Sequence, residues 1–198
     1  MAAVALAPID AGSVPAMFDR VRDERAVDVP AREALLDLAM GAGRRRKSSE
    51  TIRRGRLPAE GLALVACDDT GALAGTVRLW HVVAGVSCDA AVPALLLGPL
   101  AVRPDLAGFG IGTRLMDEAL LRAAALGHRA VLLVGDPSYY VRFGFLAEPA
   151  AGLAMPGPFE RHRLLAKELV PGALTGATGL IVPTGRLIRR SVPRRAVA

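Results

Sequence analysis

Three glycines at alternate positions, Gly108, Gly110 and Gly112, join an apolar run to an amphipathic helical pattern. Glycine has no Cβ, so the backbone can take positive φ and a ligand can come close. Backbone N–H groups at a helix start have no partner within the helix. Together these features make a cluster of donors at the positive end of a helix, suited to a diphosphate. Thr113 adds a hydroxyl. Spacing excludes two nucleotide motifs. Walker A needs a lysine before Ser or Thr, and none stands here; the dinucleotide fingerprint needs glycine where Thr113 stands. That fingerprint also follows an early strand, whereas this loop lies past mid-chain. On spacing alone, a phosphate cradle and a plain turn into a helix stand level.

The elements that must position this loop surround it. Residues 94–102 are almost continuously apolar, as in a strand buried on both faces. Pro99 cannot donate to a ladder, so this central strand should be bulged or parted from a neighbour there. Residues 113–126 form a helix whose stripe runs through Ile111, Leu115, Met116, Ala119, Leu120 and Ala123. Gly127 stops it. Residues 130–134 are the next strand. Strand, glycine turn, helix and strand make a βαβ unit with parallel pairing and a right-handed crossover.

Upstream, residues 62–67 read as a strand, 68–71 as a tight turn, 72–83 as a returning strand and 84–93 as a loop. Downstream, residues 137–142 make a short helix ended near Gly144. Residues 145–147, 164–170 and 180–182 supply late strands. At the start, Val4, Leu6 and Ile9 suit a first strand, and Ser13 caps a helix over residues 14–21. Pro30 opens a second helix through Ala34, Leu35, Leu38 and Ala39, ended by Gly41 and Gly43. Ser48 or Ser49 caps a third, basic helix reaching Arg56. Residues 1–170 read as one domain, and 171–198 as a C-terminal extension that is mobile from Arg186.

Composition fits a packed α/β domain: 52% of the 198 residues are hydrophobic and few are aromatic. The formal charge of +6 is concentrated locally. Arg44, Arg45, Arg46 and Lys47 form one run, with Arg53, Arg54 and Arg56 close behind; Arg186, Arg189, Arg190, Arg194 and Arg195 form another cluster. Nucleic acid is disfavoured as a partner, because no aromatic stacking set or reading motif accompanies these arginines. Cys67 and Cys88 make no disulfide framework and no metal-ligand spacing, so no metal is expected. The first residues lack a basic leader and a clear cleavage signature, and residues 82–102 are broken by Asp89, Pro93 and Pro99. A cytoplasmic protein without a membrane span is the simplest expectation.

Val102-Arg103-Pro104, the glycine loop, Gly135-Asp136-Pro137 and the run Tyr140-Val141-Arg142-Phe143-Gly144-Phe145 together resemble the GNAT N-acetyltransferase superfamily. The similarity is closest to its YhbS-like branch and is strongest over residues 62–145. The resemblance implies a GNAT fold, α/β (α+β by some schemes), with a mixed central sheet, parted central strands and flanking helices. It implies acetyl-CoA as co-substrate. Backbone at Leu100, Ala101 and Val102 would pair with the pantetheine arm as an added strand does. Ala107, Gly108, Phe109, Gly110, Ile111, Gly112 and Thr113 would hold the pyrophosphate. Ala107 departs from the pattern, which usually has Gln or Arg there and so one more side-chain donor.

The same resemblance implies direct attack of an amine on the thioester, with no acyl-enzyme. The amine must be neutral, the carbonyl oxygen needs a donor, and the departing thiolate benefits from a proton. Tyr140 matches the family tyrosine that gives that proton; otherwise it is a half-buried packing aromatic. Tyr139 reads as structural, since adjacent helical residues point about 100° apart. His81 and Asp136 are candidate bases, although Asp136 also suits a helix cap. Glu160, His162 and Arg163 could line a pocket or lie on the surface, and water could take the proton instead. Residues 44–47 suit a solvated surface or attraction of an acidic substrate or the CoA 3′-phosphate. The acceptor would be a small-molecule or protein amine, and a homodimer is compatible with the sequence. The other reading is a non-catalytic module that binds acyl-CoA and signals to a partner, motivated by Ala107.

Overall fold

A computed structural model describes residues 20–46 and 48–188. The described residues form eight strands: β1 (Arg20–Asp23), β2 (Ala63–Cys67), β3 (Leu73–Ser87), β4 (Ala90–Val102), β5 (Ala130–Val134), β6 (Leu153–Ala154), β7 (Leu164–Glu168) and β8 (Thr178–Pro183). The helices are α1 (Val29–Met40), α2 (Ser48–Arg53), α3 (Ile111–Ala125) and the single turn α4 (Pro137–Tyr140). The sheet order is β1-β2-β3-β4-β5-β7, with β8 beside the far half of β3 and β6 beside β8. β4 and β5 are parallel, as the βαβ reading requires, and the other pairs along the main path are antiparallel.

The central strands are apolar on both sides because both faces are covered. Leu95, Leu97, Val131 and Leu133 face a core completed by Ile111, Leu115, Met116 and Ala119 of α3. Leu96 and Leu132 alternate to the other face, where they join Ile52 of α2, Val82, Ala84 and Ile181. Helix α3 comes unusually close to the sheet. A methyl on Gly75 would lie 2.8 Å from Leu115 Cδ1 and 3.0 Å from Ile111 Cγ2. Gly75 pairs with Val102 at the end of β4, so this contact pins the first turn of α3 over that strand end.

Buried ion pairs tie α1 to the sheet. Glu24 accepts a 2.7 Å bond from Arg78 Nε and also pairs with Arg32. Glu33 accepts from Arg32 at 2.7 Å and from Arg44 at 2.5 Å, and Arg44 also reaches Asp37 at 2.6 Å. The sequence placed Arg44 in a surface run. It is buried, because two carboxylates of α1 neutralise it.

Other expectations shift as well. Residues 84–93 are not a loop: β3 and β4 continue to a two-residue turn at Cys88 and Asp89, both at positive φ. Gly85 and Pro93 look like breakers, but β8 pairs with β3 there and secures the hairpin. The helix expected over residues 14–21 does not include Arg20 and Val21, which pair with Cys67 and Ala66. The strand read at Val4, Leu6 and Ile9 and the cap at Ser13 lie outside the described residues. Residues 145–147 contribute only a bridge from Leu146 to Ala166. The basic helix stops at Arg53. Residues 186–188 run along residues 55–57, with Ile188 N–H bonded to Gly55 O at 2.9 Å.

Gly75→Ala is expected to destabilise the protein by about 1–3 kcal/mol, because the new methyl overpacks the α3 contact. Denaturant unfolding measures this; an unchanged midpoint would contradict the close docking of α3.

Candidate functional site

The site begins where β4 and β5 separate. They pair only at Leu95 with Val131 and at Leu96 with Leu132. The cause lies on the other side of β4. Val77 pairs with Leu100 and Leu79 with Leu97, so one extra residue is inserted around Gly98 and Pro99. That bulge is where the sequence placed one, and it turns β4 away from β5. From Leu97 to Val102, β4 has no strand neighbour on the β5 side among the described residues. Leu100, Ala101 and Val102 thus lie on an open edge.

The glycine loop closes the wide end of this gap. Arg103 anchors its base through its N–H to Ala74 O at 2.8 Å and its guanidinium to Asp105 at 2.9 Å and Asp68 at 3.3 Å. Gly108 and Gly110 have φ of 89° and 75°, a left-handed backbone that other side chains resist. Gly110 is the residue before α3, and its carbonyl accepts from Arg114 N–H at 3.0 Å. Ala107 N–H bonds to Pro104 O at 3.2 Å, and Phe109 N–H makes a long 3.5 Å contact to Leu106 O. By contrast, the N–H groups of Gly108, Gly110, Ile111, Gly112 and Thr113 have no acceptor among the described residues. Five such donors therefore lie in or just before the first turn of a 15-residue helix, at its positive end.

Both tyrosines reach the gap. Asp136 caps α4: it accepts from the Ser138 hydroxyl and from Ser138 N–H, each at 2.9 Å, and these bonds, the hydroxyl first, draw its pKa down. The ring of Tyr140 lies over Gly135, just past β5; a methyl there would fall 2.1 Å from Tyr140 Cε2. Only glycine lets the ring settle on that backbone. Burial, reinforced by Tyr139, pushes the Tyr140 phenol up to about 12. Tyr139 was expected to point away, yet its ring meets that of Tyr140 edge to face with centroids 4.9 Å apart. A methyl on Gly112 would lie 2.7 Å from the Tyr139 hydroxyl oxygen. Tyr139 thus abuts the first turn of α3, with Arg142 4.5 Å above its ring. Neither hydroxyl has a hydrogen-bond partner among the described residues.

Two cavities meet the gap from the face opposite α3. A cavity of about 360 Å³ reaches Pro99 and is lined by Trp80 and by arginines of β3, α2 and the segments beside α2. A smaller one of about 210 Å³ reaches Val134 and is lined by Ser48, Ser49, Phe159, Glu160 and Arg163. Glu160 and Arg163 therefore do line a pocket; His162 is exposed beside Glu160. His81 reaches neither cavity. It sits next to Trp80 on β3 and so faces the other way, its ring 5.3 Å from that of His128. Cys67 is buried and Cys88 lies in the hairpin turn.

The sequence signature of the acetyltransferase (GNAT) family matches residues 32–145. The chain belongs to this family. The uncharacterized N-acetyltransferase YhbS of Escherichia coli (strain K12) is 31% identical over 162 residues, covering 81% of this chain and 93% of that protein. The crystal structure of E. coli YhbS in complex with CoA matches with a TM-score of 0.71, over 86% of this chain and 92% of that one. A GNAT family acetyltransferase from Brucella melitensis, in complex with acetyl-CoA, matches at 24% identity and a TM-score of 0.56, over 87% and 96% of the two chains. That likeness shows the fold alone. The open mixed sheet with flanking helices is the architecture these GNAT structures share.

Sequence reasoning missed the cavity formed by Trp80, Arg78 and Arg53. Alternation on β3 puts Arg78 and Trp80 on one face, but nothing local brings α2 over them.

The Gly112–Tyr139 contact makes a double-mutant prediction. Gly112→Ala should destabilise the wild-type chain and be neutral or better in Tyr139→Phe, giving a coupling of about 1 kcal/mol. Additive effects on thermal unfolding would mean that the two groups do not touch.

Proposed function

We propose that this GNAT protein transfers an acetyl group from acetyl-CoA to an amine acceptor by direct attack. The observation that carries the reading is the set of five unclaimed N–H groups at residues 108 and 110–113, set beside the open edge of β4. A diphosphate is the group such an array fits. Nothing lies within 4 Å of a methyl on Gly108, so a ligand can approach the backbone closely. That YhbS was crystallised with CoA supports the reading.

Acetyl-CoA supplies the thioester, whose acyl carbon takes the amine and whose sulfur leaves. The protein's own groups do the rest. Residues 108 and 110–113 hold the pyrophosphate through main-chain donors, whereas the N–H groups of Ala107 and Phe109 are engaged within the loop, so the missing side chain at Ala107 removes one contact and not the cradle. Main-chain groups of Leu100, Ala101 and Val102 pair with the pantetheine arm and aim the acyl group at the bulge. A β4 N–H there stabilises the negative charge that builds on the carbonyl oxygen as the C–N bond forms. Tyr140 gives its phenolic proton to the sulfur as the C–S bond breaks. The acceptor nitrogen loses its proton to water, and Tyr140 is reprotonated by solvent. A phenol held near 12 stays protonated at neutral pH, as a proton donor must.

Three measurements test this. Gly110→Asp puts negative charge on the phosphates, at the cost of about 1–2 kcal/mol for a side chain in the left-handed backbone. CoA binding by calorimetry should vanish while the chain, with a somewhat lowered melting temperature, stays folded; unchanged affinity would remove the cradle. Tyr140→Phe should lower kcat by about 100-fold with acetyl-CoA affinity retained, whereas Tyr139→Phe should mainly raise KM. CoA binding with no thiol release for any amine would favour the non-catalytic module.

The pH profile is the third. Tyr140 should lose its proton only near pH 12, so its donor role persists to the top of the accessible range. The rate should rise as the acceptor amine deprotonates and then level, with no descending limb below about pH 10. A descending limb below about pH 10 that persists in Tyr140→Phe would assign the proton donor to another group and overturn the role of Tyr140.

A further inference from the structure

The cavity at Pro99 is built from like charges. Arg44, Arg45, Arg53, Arg54, Arg56 and Arg78 line it, against only Glu33 and Glu50. The guanidiniums are not equally committed. Arg44 is held by Glu33 and Asp37, Arg45 by Glu33, and Arg78 by Glu24. Arg53 has Glu50 at 3.0 Å. Arg56 bonds only the carbonyl of Gly185 at 2.5 Å, and Arg54 only that of Arg45 at 3.5 Å. Among the described residues no carboxylate lies within ion-pair distance of Arg54 or Arg56.

Arg53 gives the decisive detail. Its side chain is only 11% exposed, and its Nε–H is buried with no acceptor among the described residues. Native proteins rarely leave such a donor unspent without a reason. The same guanidinium reaches the bulge: its Nη1 lies 3.6 Å from a methyl built on Gly98. Trp80 donates from Nε1 to Gly98 O at 2.6 Å and forms the adjoining wall. Positive charge thus lines the cavity that opens at the proposed point of acyl transfer, and Arg53, with its Nε–H buried and unpaired, is held there at a cost the fold leaves uncompensated.

We infer that the acceptor is an amine that also carries an anionic group, a phosphate or a carboxylate, gripped by Arg53 and Arg56 in this cavity. This deepens the acetyl-transfer reading and rests on it. Guanidinium forks match both oxyanions. The geometry then places the amine toward Pro99, across from the edge of β4. The surrounding positive charge also disfavours the ammonium form of the acceptor. Binding the anion would therefore prepare the nucleophile.

Trp80 is the only tryptophan in the chain, so intrinsic fluorescence reports on this cavity directly. The experiment titrates the full chain with phosphoethanolamine, β-alanine and ethanolamine. At least one anionic amine should bind about tenfold more tightly than ethanolamine, the worth of one charge-assisted contact. A preference for phosphoethanolamine assigns a phosphate; a preference for β-alanine assigns a carboxylate. Arg53→Gln and Arg56→Gln should each erase most of that advantage, and Arg56→Gln, at a half-buried position, carries the test if Arg53→Gln does not fold. Gly110→Asp should preserve it, which separates this site from the cofactor loop. Equal binding of all three amines, or an advantage undiminished in both arginine variants, would overturn the inference. Thiol release from acetyl-CoA is measured in parallel. If it is absent while the anion preference survives, the acetyl-transfer reading fails and the anion site stands.

Discussion

The separation of β4 from β5 is the constraint on which the rest depends. A parallel pair normally continues its ladder, because an unpaired main-chain group shielded from water is costly. Here the ladder stops after two residue pairs, and both strands are held from the outside. β3 grips β4 up to Val102, and β7 grips β5 across all five residues. The bulge at Gly98 and Pro99 supplies the turn that carries one strand away from the other. The gap is therefore built into the register of its neighbours and is not a frayed end.

The two faces of the sheet differ beside that gap. The α3 face carries main-chain donors, because Gly75 lets α3 dock close enough to put its first turn above the end of β4. The opposite face carries positive charge, on α2 and β3. Glycines recur at these points for one physical reason. Gly75, Gly112 and Gly135 each admit another group at a distance no Cβ would allow. Two of those groups are the rings of Tyr139 and Tyr140.

The loop, the βαβ unit and the bulge were legible because each has a local cause. Alternate glycines, a 3.6-residue stripe and a proline inside an apolar run all act within a few residues. The β3–β4 hairpin was not legible. Its turn is Cys88-Asp89, which lacks the usual Asn-Gly signal, and its stability comes from β8, some 90 residues downstream. The contact between Tyr139 and Tyr140 was not legible because two rings at adjacent positions of a helical turn, though pointing apart, are large enough to meet edge to face. The arginine cavity was hidden for a third reason. Charge runs in a sequence look like solvated surface, and only tertiary packing decides which guanidinium finds a carboxylate.

That sorting bears on how an amine becomes a nucleophile here. His81 lines neither cavity beside the gap, and the Asp136 carboxylate is engaged by Ser138 as a helix cap. A fixed array of guanidiniums offers another route to the same end, since it lowers the proton affinity of an amine held beside it. The array persists because Glu24, Glu33 and Asp37 stand behind it and neutralise the members nearest α1. Without those acids, burying Arg44 and Arg78 together would be prohibitive. With them, and with Glu50 beside Arg53, the cavity-lining guanidiniums that have no carboxylate partner among the described residues are Arg54 and Arg56. The acids of α1 thus shape the cavity's field as much as the arginines do, by deciding which guanidiniums are left to act on a ligand.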